Sequence, residues 1–207
     1  MSDPQLPQTR RAHPGLVARV FCLVLAVGCL AGTATAAERG EAAALWQRLA
    51  QGKAVALMRH ASAPGFSDPP DFSVDDCSTQ RNLSEAGRAE ARTIGTSIRA
   101  HGIDNATVRS SQWCRCLDTA RLLGFGPVVP TPALNSFFEQ RDRADAQTRA
   151  ARALLADTTV SGARIWVTHQ VNISALTGLT TRPGEIVVVA PRDGDIEVLG
   201  RLAPLDD

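Results

Sequence analysis

The chain has 207 residues, enough for one domain of ordinary size. A formal net charge of +1 excludes the strong basic excess of a nucleic-acid binder, so no nucleic-acid partner is expected. Lys53 is the only lysine, so phosphate contacts in this chain would come from arginine forks.

Arg10, Arg11 and Arg19 precede an apolar run over residues 20–32, and Ala34-Thr35-Ala36 follows with the small-x-small pattern of a cleavage site. That order reads as a signal peptide over residues 1–36, with a mature chain from residue 37 and a periplasmic or secreted destination. The run is shorter than the roughly 20 residues that a membrane span needs, so no stable span is expected after cleavage. Cys77, Cys114 and Cys116 remain in the mature chain. In an exported protein Cys77 can pair with Cys114 or with Cys116. A Cys-x-Cys without a second Cys or His cluster lacks zinc spacing, so no metal is expected.

Residues 40–51 carry apolar side chains at helical spacing and stop at Gly52. Residues 53–58 (KAVALM) read as a buried strand that runs into Arg59 and His60. Residues 61–80 are rich in Pro, Asp, Ser and Gly and form a loop. Ser84 is placed to cap a helix that ends at His101-Gly102, with Ala91, Ile94 and Ile98 on one face. A strand over 106–109 leads to Ser110-Ser111, predicted to cap a helix running to about Leu123. A turn and a short strand at Val128-Val129 follow, then irregular chain over 133–143 and a helix over 142–156. Residues 163–168 (ARIWVT) form a strand ending at His169, followed by a helix near 172–177. Residues 185–190 (EIVVVA) form a strand, and Asp193-Gly194 signals a hairpin into 196–201. Alternating strands and helices predict an α/β three-layer sandwich with a mostly parallel central sheet flanked by helices. The C-terminal hairpin adds an antiparallel edge, and one domain spans residues 37–207.

Ligands of open α/β sheets bind beyond the carboxyl ends of the strands. Arg59-His60 ends the first strand. Ser110-Ser111, with Arg115 one turn on, follows the second, and His169 follows the fourth. Each group alone is a weak signal; two histidines and two arginines from independent segments on one edge are a stronger one. The set suits phosphoryl transfer through a histidine. A neutral imidazole attacks phosphorus while a backbone carbonyl holds its other nitrogen. Two guanidinium forks bind the non-bridging oxygens, and the second histidine completes the ring of donors. No cofactor is expected where arginines supply the charge.

Leu57-Met58-Arg59-His60 resembles the Arg-His-Gly signature of the histidine phosphatase superfamily, the group that includes phosphoglycerate mutase. Residues 110–120 (SSQWCRCLDTA) resemble its second motif, and Asn82-Leu83-Ser84-Glu85-Ala86-Gly87-Arg88 is similar to its Leu-Thr/Ser-x-x-Gly helix start. Thr168-His169 resembles the second histidine. The resemblance spans the mature chain and points to an exported bacterial branch. It implies a phosphoglycerate mutase-like fold, His60 as nucleophile, and Arg59, Arg115 and His169 as the phosphate pocket. Two positions depart from the pattern: Ala61 stands for the signature glycine, and Gln170 follows the second histidine where the acid-phosphatase branch has an aspartate. The other branch uses a glutamate after the third strand, which makes Glu139 the candidate general acid, with Asp142 and Asp68 as rivals. Arg81 could reach the same phosphate but is read as the partner in a structural ion pair. The expected function is an exported phosphomonoesterase acting through a phosphohistidine on His60. Its substrate would be a phosphorylated small molecule or a phosphorylated envelope component. The alternative is a catalytically weak, phosphatase-like protein that holds a phosphorylated envelope ligand.

Overall fold

The computed structural model describes residue 1 and residues 36–157, 159–203 and 205. The predicted signal segment lies outside the described residues, except at Met1 and Ala36. Helices and strands alternate as α1 (Ala36–Ala50), β1 (Val55–Arg59), α2 (Glu85–Ala100), β2 (Ala106–Ser110), α3 (Cys114–Leu122) and β3 (Val128–Pro130). The series continues with α4 (Ala144–Ala156), β4 (Ala163–Thr168), α5 (Gln170–Thr177), β5 (Ile186–Arg192) and β6 (Asp195–Leu202). The strands form one sheet in the order β3-β2-β4-β1-β5-β6. The pairs β3–β2, β2–β4 and β4–β1 are parallel, whereas β5 runs antiparallel to both β1 and β6. This is the three-layer, mostly parallel α/β sandwich predicted, with the hairpin at one edge.

Burial on both faces explains the unbroken apolar run of β1. Ala56 and Met58 pack with Trp46 of α1, Ile94 and Ile98 of α2, and Ala120 of α3. Val55 and Leu57 point the other way, toward Leu155 of α4 and Ile173 of α5. The alternation follows from the two-residue period of a strand. No helix among the described residues is long and apolar enough to cross a membrane.

Local signals set several boundaries. Ser84 accepts from Gly87 N and caps α2. Asp193 (φ 49°) and Gly194 (φ 82°) both take positive φ, the requirement of a tight hairpin turn. The start of α3 departs from expectation, because Ser110 and Ser111 do not cap it. Its N-cap is Trp113, without a side-chain bond, and Gln80 Oε1 from the preceding loop accepts from Cys114 N. The two hydroxyls are engaged elsewhere: Ser110 Oγ donates to Ser111 O, and Ser111 Oγ contacts His169. The predicted irregular stretch contains two short 3-10 turns, Pro132–Leu134 and Arg141–Arg143, and the second delays α4 to Ala144. Of the two disulfides left open, Cys77–Cys114 forms and Cys116 is free and buried. The bond ties the 61–80 loop to the first residue of α3.

Helices α2 and α3 approach closely enough that Gly95 has no room for a side chain. A Cβ there would lie 2.1 Å from Leu123 O. Alanine would add about 1 kcal/mol of helix propensity. Overpacking against backbone costs roughly 1–3 kcal/mol, and a carbonyl cannot swing aside as a side chain can. Gly95→Ala should therefore lower the urea unfolding midpoint; an unchanged or higher midpoint would mean the two helices separate freely.

Candidate active site

The parallel register sets the strand ends level. Arg59 lies opposite Thr168, and Ser110 lies opposite Val167. The ladder continues one residue further on each side of β4: His60 N donates to Thr168 O at 3.0 Å, and Ser111 N donates to Val167 O at 2.9 Å. His60, Ser111 and His169 thus leave the sheet at one edge.

Arg59 is half-buried, and its Nη1 donates to Thr181 O at 2.7 Å. His60 is buried, with Nδ1 2.8 Å from Ala61 O. A carbonyl only accepts, so Nδ1 carries the proton and Nε2 keeps its lone pair. Nε2 has no hydrogen-bond partner among the described residues. The position after His60 is held from α3: Ala61 N donates to Thr119 Oγ1, which donates to Arg115 O. Burial, then the charge of Arg115, lowers the His60 pKa to about 3 against the opposing pull of the Ala61 bond.

Arg115 is buried on the first turn of α3. Its Nη1 donates to both oxygens of Asp68, at 2.8 and 3.1 Å, and to Arg81 O at 3.3 Å. Its Nη2 lies 3.4 Å from His169 Nδ1. A guanidinium only donates, so Nδ1 is the accepting nitrogen and Nε2–H donates to Ser111 Oγ at 2.8 Å. Ser111 Oγ in turn reaches Asn135 Oδ1. The two histidine rings stand edge to face with centroids 5.5 Å apart. Burial and the neighbouring charge of Arg115 hold His169 well below its ordinary pKa. Burial also pushes the Cys116 thiol, 3.4 Å from His169 Nε2, up to about 12, so it stays protonated.

Part of this cluster lines a cavity of about 670 Å³. Arg59, His60, Arg115 and His169 all face it, as do Glu139 and Asp68, whereas Asp142 is exposed and lies outside its lining. Asp68 is fully engaged: besides Arg115, it accepts from Arg81 N and from Trp113 Nε1, each at 3.0 Å. Burial alone would raise its pKa. The Arg115 hydrogen bond and charge, with the Arg81 and Trp113 donors, outweigh burial and hold it low. Asp68 is therefore an ionised anchor in this arrangement and a poor proton donor. Glu139 is exposed and makes no hydrogen bond or ion pair among the described residues. Arg81 departs from expectation, because no ion pair to it is found among the described residues; its Nη1 donates to Ala63 O instead. The roles of Asp68, Ser111, Asn135 and Trp113 had no local signal, since each depends on a partner distant in the chain.

Solved structures share this fold. The protein histidine phosphatase SixA complexed with tungstate matches with a TM-score of 0.52 at 16% identity, over 74% of this chain and 98% of that one. A mycobacterial glucosyl-3-phosphoglycerate phosphatase complexed with VO3 gives 0.52 at 17% identity, over 70% and 96%. The alpha-ribazole phosphatase from Shigella flexneri gives 0.51 at 14% identity, over 73% and 96%. The chain has the fold of the histidine phosphatases. No family model and no curated protein matches its sequence.

Both histidines are neutral in the folded protein at neutral pH. Unfolded, each takes up a proton near 6.5. The unfolded state then binds more protons, so stability should fall as the pH drops from 6.5 toward about 3. Denaturant titrations at stepped pH should show this slope, and His60→Gln should flatten it. Ring-proton NMR should show neither histidine titrating between about pH 5 and 8. A resonance from His60 with an ordinary midpoint would contradict the assignment.

Proposed function

We propose that this protein is a phosphomonoesterase that works through a phosphohistidine on His60. The observation that carries this reading is the Nδ1–H bond from His60 to Ala61 O. It leaves a neutral Nε2 lone pair in a cavity shared with Arg59, Arg115 and His169. In the first step Nε2 attacks phosphorus, an N–P bond forms and the ester P–O bond breaks. The ring gains positive charge, and the Ala61 carbonyl, accepting from Nδ1–H, stabilises it. Arg59 and Arg115 take the non-bridging oxygens and offset the charge that develops on them.

His169 serves as the further donor. Its Nδ1 has no proton in the resting arrangement, but Ser111 can donate as well as accept. When a phosphoryl oxygen draws Arg115 Nη2 off Nδ1 and Ser111 donates to Nε2, His169 takes the other tautomer and offers Nδ1–H to a phosphate oxygen. Glu139 lines the cavity and is the general acid of this proposal, since Asp68 is bound to Arg115 and Asp142 lies outside. It gives its proton to the leaving oxygen. As a carboxylate it then takes one from the water that attacks phosphorus, and the N–P electron pair returns to Nε2. The cavity exceeds what a phosphoryl group fills, and Phe66, Phe138 and Trp113 add apolar wall. That room supports a phosphorylated small molecule or a phosphorylated envelope component as substrate. Export to the periplasm or beyond is supported by the N-terminal pattern and by the Cys77–Cys114 disulfide.

His60→Ala should abolish phosphate release from p-nitrophenyl phosphate while phosphate binding and the unfolding midpoint persist; residual turnover near the wild-type rate would sink the mechanism. Glu139→Gln should slow alkyl phosphates far more than p-nitrophenyl phosphate, whose leaving group needs little protonation. Equal slowing of both would remove Glu139 from the acid role.

A further inference from the structure

The chain has six phenylalanines, three tryptophans and no tyrosine. Four of these rings, Phe66, Phe72, Trp113 and Phe138, line the one cavity. They form two pairs. Phe72 and Trp113 have centroids 5.5 Å apart and planes tilted by 47°. Phe66 and Phe138 meet edge to face, with centroids 5.2 Å apart and an interplanar angle of 81°. Aromatic quadrupoles favour that geometry. The second pair joins two segments that are distant in the chain, the 61–80 loop and the stretch before α4.

Phe66 is 81% exposed. A single exposed ring needs no explanation. This one is brought to the cavity by the turn that precedes it. Gly65 takes φ 90°, which glycine adopts without strain. Arg81, bonded to Ala63 O, packs close by: a Cβ on Gly65 would lie 3.3 Å from Arg81 Cδ. Phe138 is held by Arg141, whose guanidinium lies 4.9 Å from the ring centroid and whose Nε donates to Phe138 O at 3.0 Å. Most of the Phe66 ring stays open to a ligand.

Phe138 directly precedes Glu139, the acid that protonates the ester oxygen in the proposed reaction. The group which that oxygen carries therefore lies beside Phe138 and Phe66. The inner polar lining offers this group little. Trp113 Nε1 is bonded to Asp68. Asn135 spends its side-chain amide on Gln112 and Ser111. Gln170 spends its own on Ser174, Leu179 and Thr181. Ser67, Gln140 and Arg143 also line the cavity, but they are exposed and water competes for them. A sugar or polyol placed here would lose water from its hydroxyls and regain few hydrogen bonds. An aromatic ring carries no such cost and gains both buried area and edge-to-face contact.

We propose that Phe66 and Phe138 form a leaving-group subsite that makes this enzyme selective for phosphate monoesters of alcohols bearing an aromatic ring, over those of sugars and polyols. The proposal rests on reading the cavity as the site of a phosphomonoesterase, and it names the substrate class for that reading.

The test is steady-state hydrolysis by the full chain of benzyl phosphate, cyclohexylmethyl phosphate and glycerol 3-phosphate. All three are esters of primary alcohols, so each leaving oxygen needs its proton. The kcat/KM for benzyl phosphate should exceed that for glycerol 3-phosphate roughly tenfold. Cyclohexylmethyl phosphate, which has apolar area but no π face, should fall between. Phe66→Ala should remove most of the benzyl advantage and slow glycerol 3-phosphate far less. Phe66→Leu, apolar without a ring, should bring benzyl and cyclohexylmethyl phosphate close together. Equal kcat/KM for the three esters, or a preference for glycerol 3-phosphate, would overturn the proposal. So would equal slowing of benzyl and glycerol esters by Phe66→Ala, or a benzyl preference that survives intact in Phe66→Leu. Thermal melts identify a variant that does not fold, and the order of the three esters on the unmodified chain decides without it. If that chain hydrolyses none of them, the phosphomonoesterase reading falls and takes the proposal with it; if it hydrolyses all three alike, that reading stands and the proposal alone fails.

Discussion

The site depends on the register between β4 and its two parallel neighbours. β4 lies between β1 and β2, and both ladders run one residue past the strand ends, through His60 N to Thr168 O and Ser111 N to Val167 O. Those bonds bring His60 and Ser111 to either side of β4, where each meets His169. A slip of one residue would turn each side chain to the other face of the sheet. The buried alternation of Ala56 and Met58 against Val55 and Leu57 forbids such a slip, because it would exchange residues between two filled cores.

A second layer of order is electrostatic. Asp68 and Arg115 form a buried ion pair, with side chains 7% and 4% exposed. Removing one partner of such a pair costs roughly 3–5 kcal/mol, because the other is left charged and buried. Asp68 also takes the Trp113 indole and the Arg81 amide, so one carboxylate fixes the rotamer of Arg115, the wall of the cavity and the entry to α2. The Cys77–Cys114 bond and the Gln80 bond to Cys114 N hold the same loop against the same helix end. The loop that reads as irregular in sequence is among the most heavily tied parts of the chain.

The electrostatics also decide the state of the histidines. Burial and the arginine charges act in the same direction on both rings and keep them neutral. The carbonyl of Ala61 then selects which nitrogen of His60 is free, and Arg115 selects the accepting nitrogen of His169. Cys116, pressed against His169, gains no reactivity from that position, because the burial that neutralises the histidines also keeps the thiol protonated.

Features whose causes lie within a few residues were legible in the chain. The Ser84 cap, the Asp193-Gly194 turn, the apolar runs of β1 and β4 and the alternation of strand and helix are all local, and they predict the α/β sheet and the edge where His60, Arg115 and His169 meet. The motifs around Arg59, Arg115 and His169 are short for the same reason: each sits at a strand end or on the first turn of a helix. What the tertiary structure decided involves partners far apart. Asp68 meets Arg115 across 47 positions, and Cys77 chooses Cys114 over Cys116 across 37. Ser110 and Ser111 look like caps in sequence, yet they are taken by the backbone and by His169, 58 residues from Ser111. Arg81 looked like half of an ion pair, and only the folded cavity shows its Nη1 on the Ala63 carbonyl, with Asp68 bonded to its backbone N–H rather than to its side chain. Local pattern encodes which face of a strand or helix is buried; which charge meets which is settled by distances that exist only once the sheet has assembled.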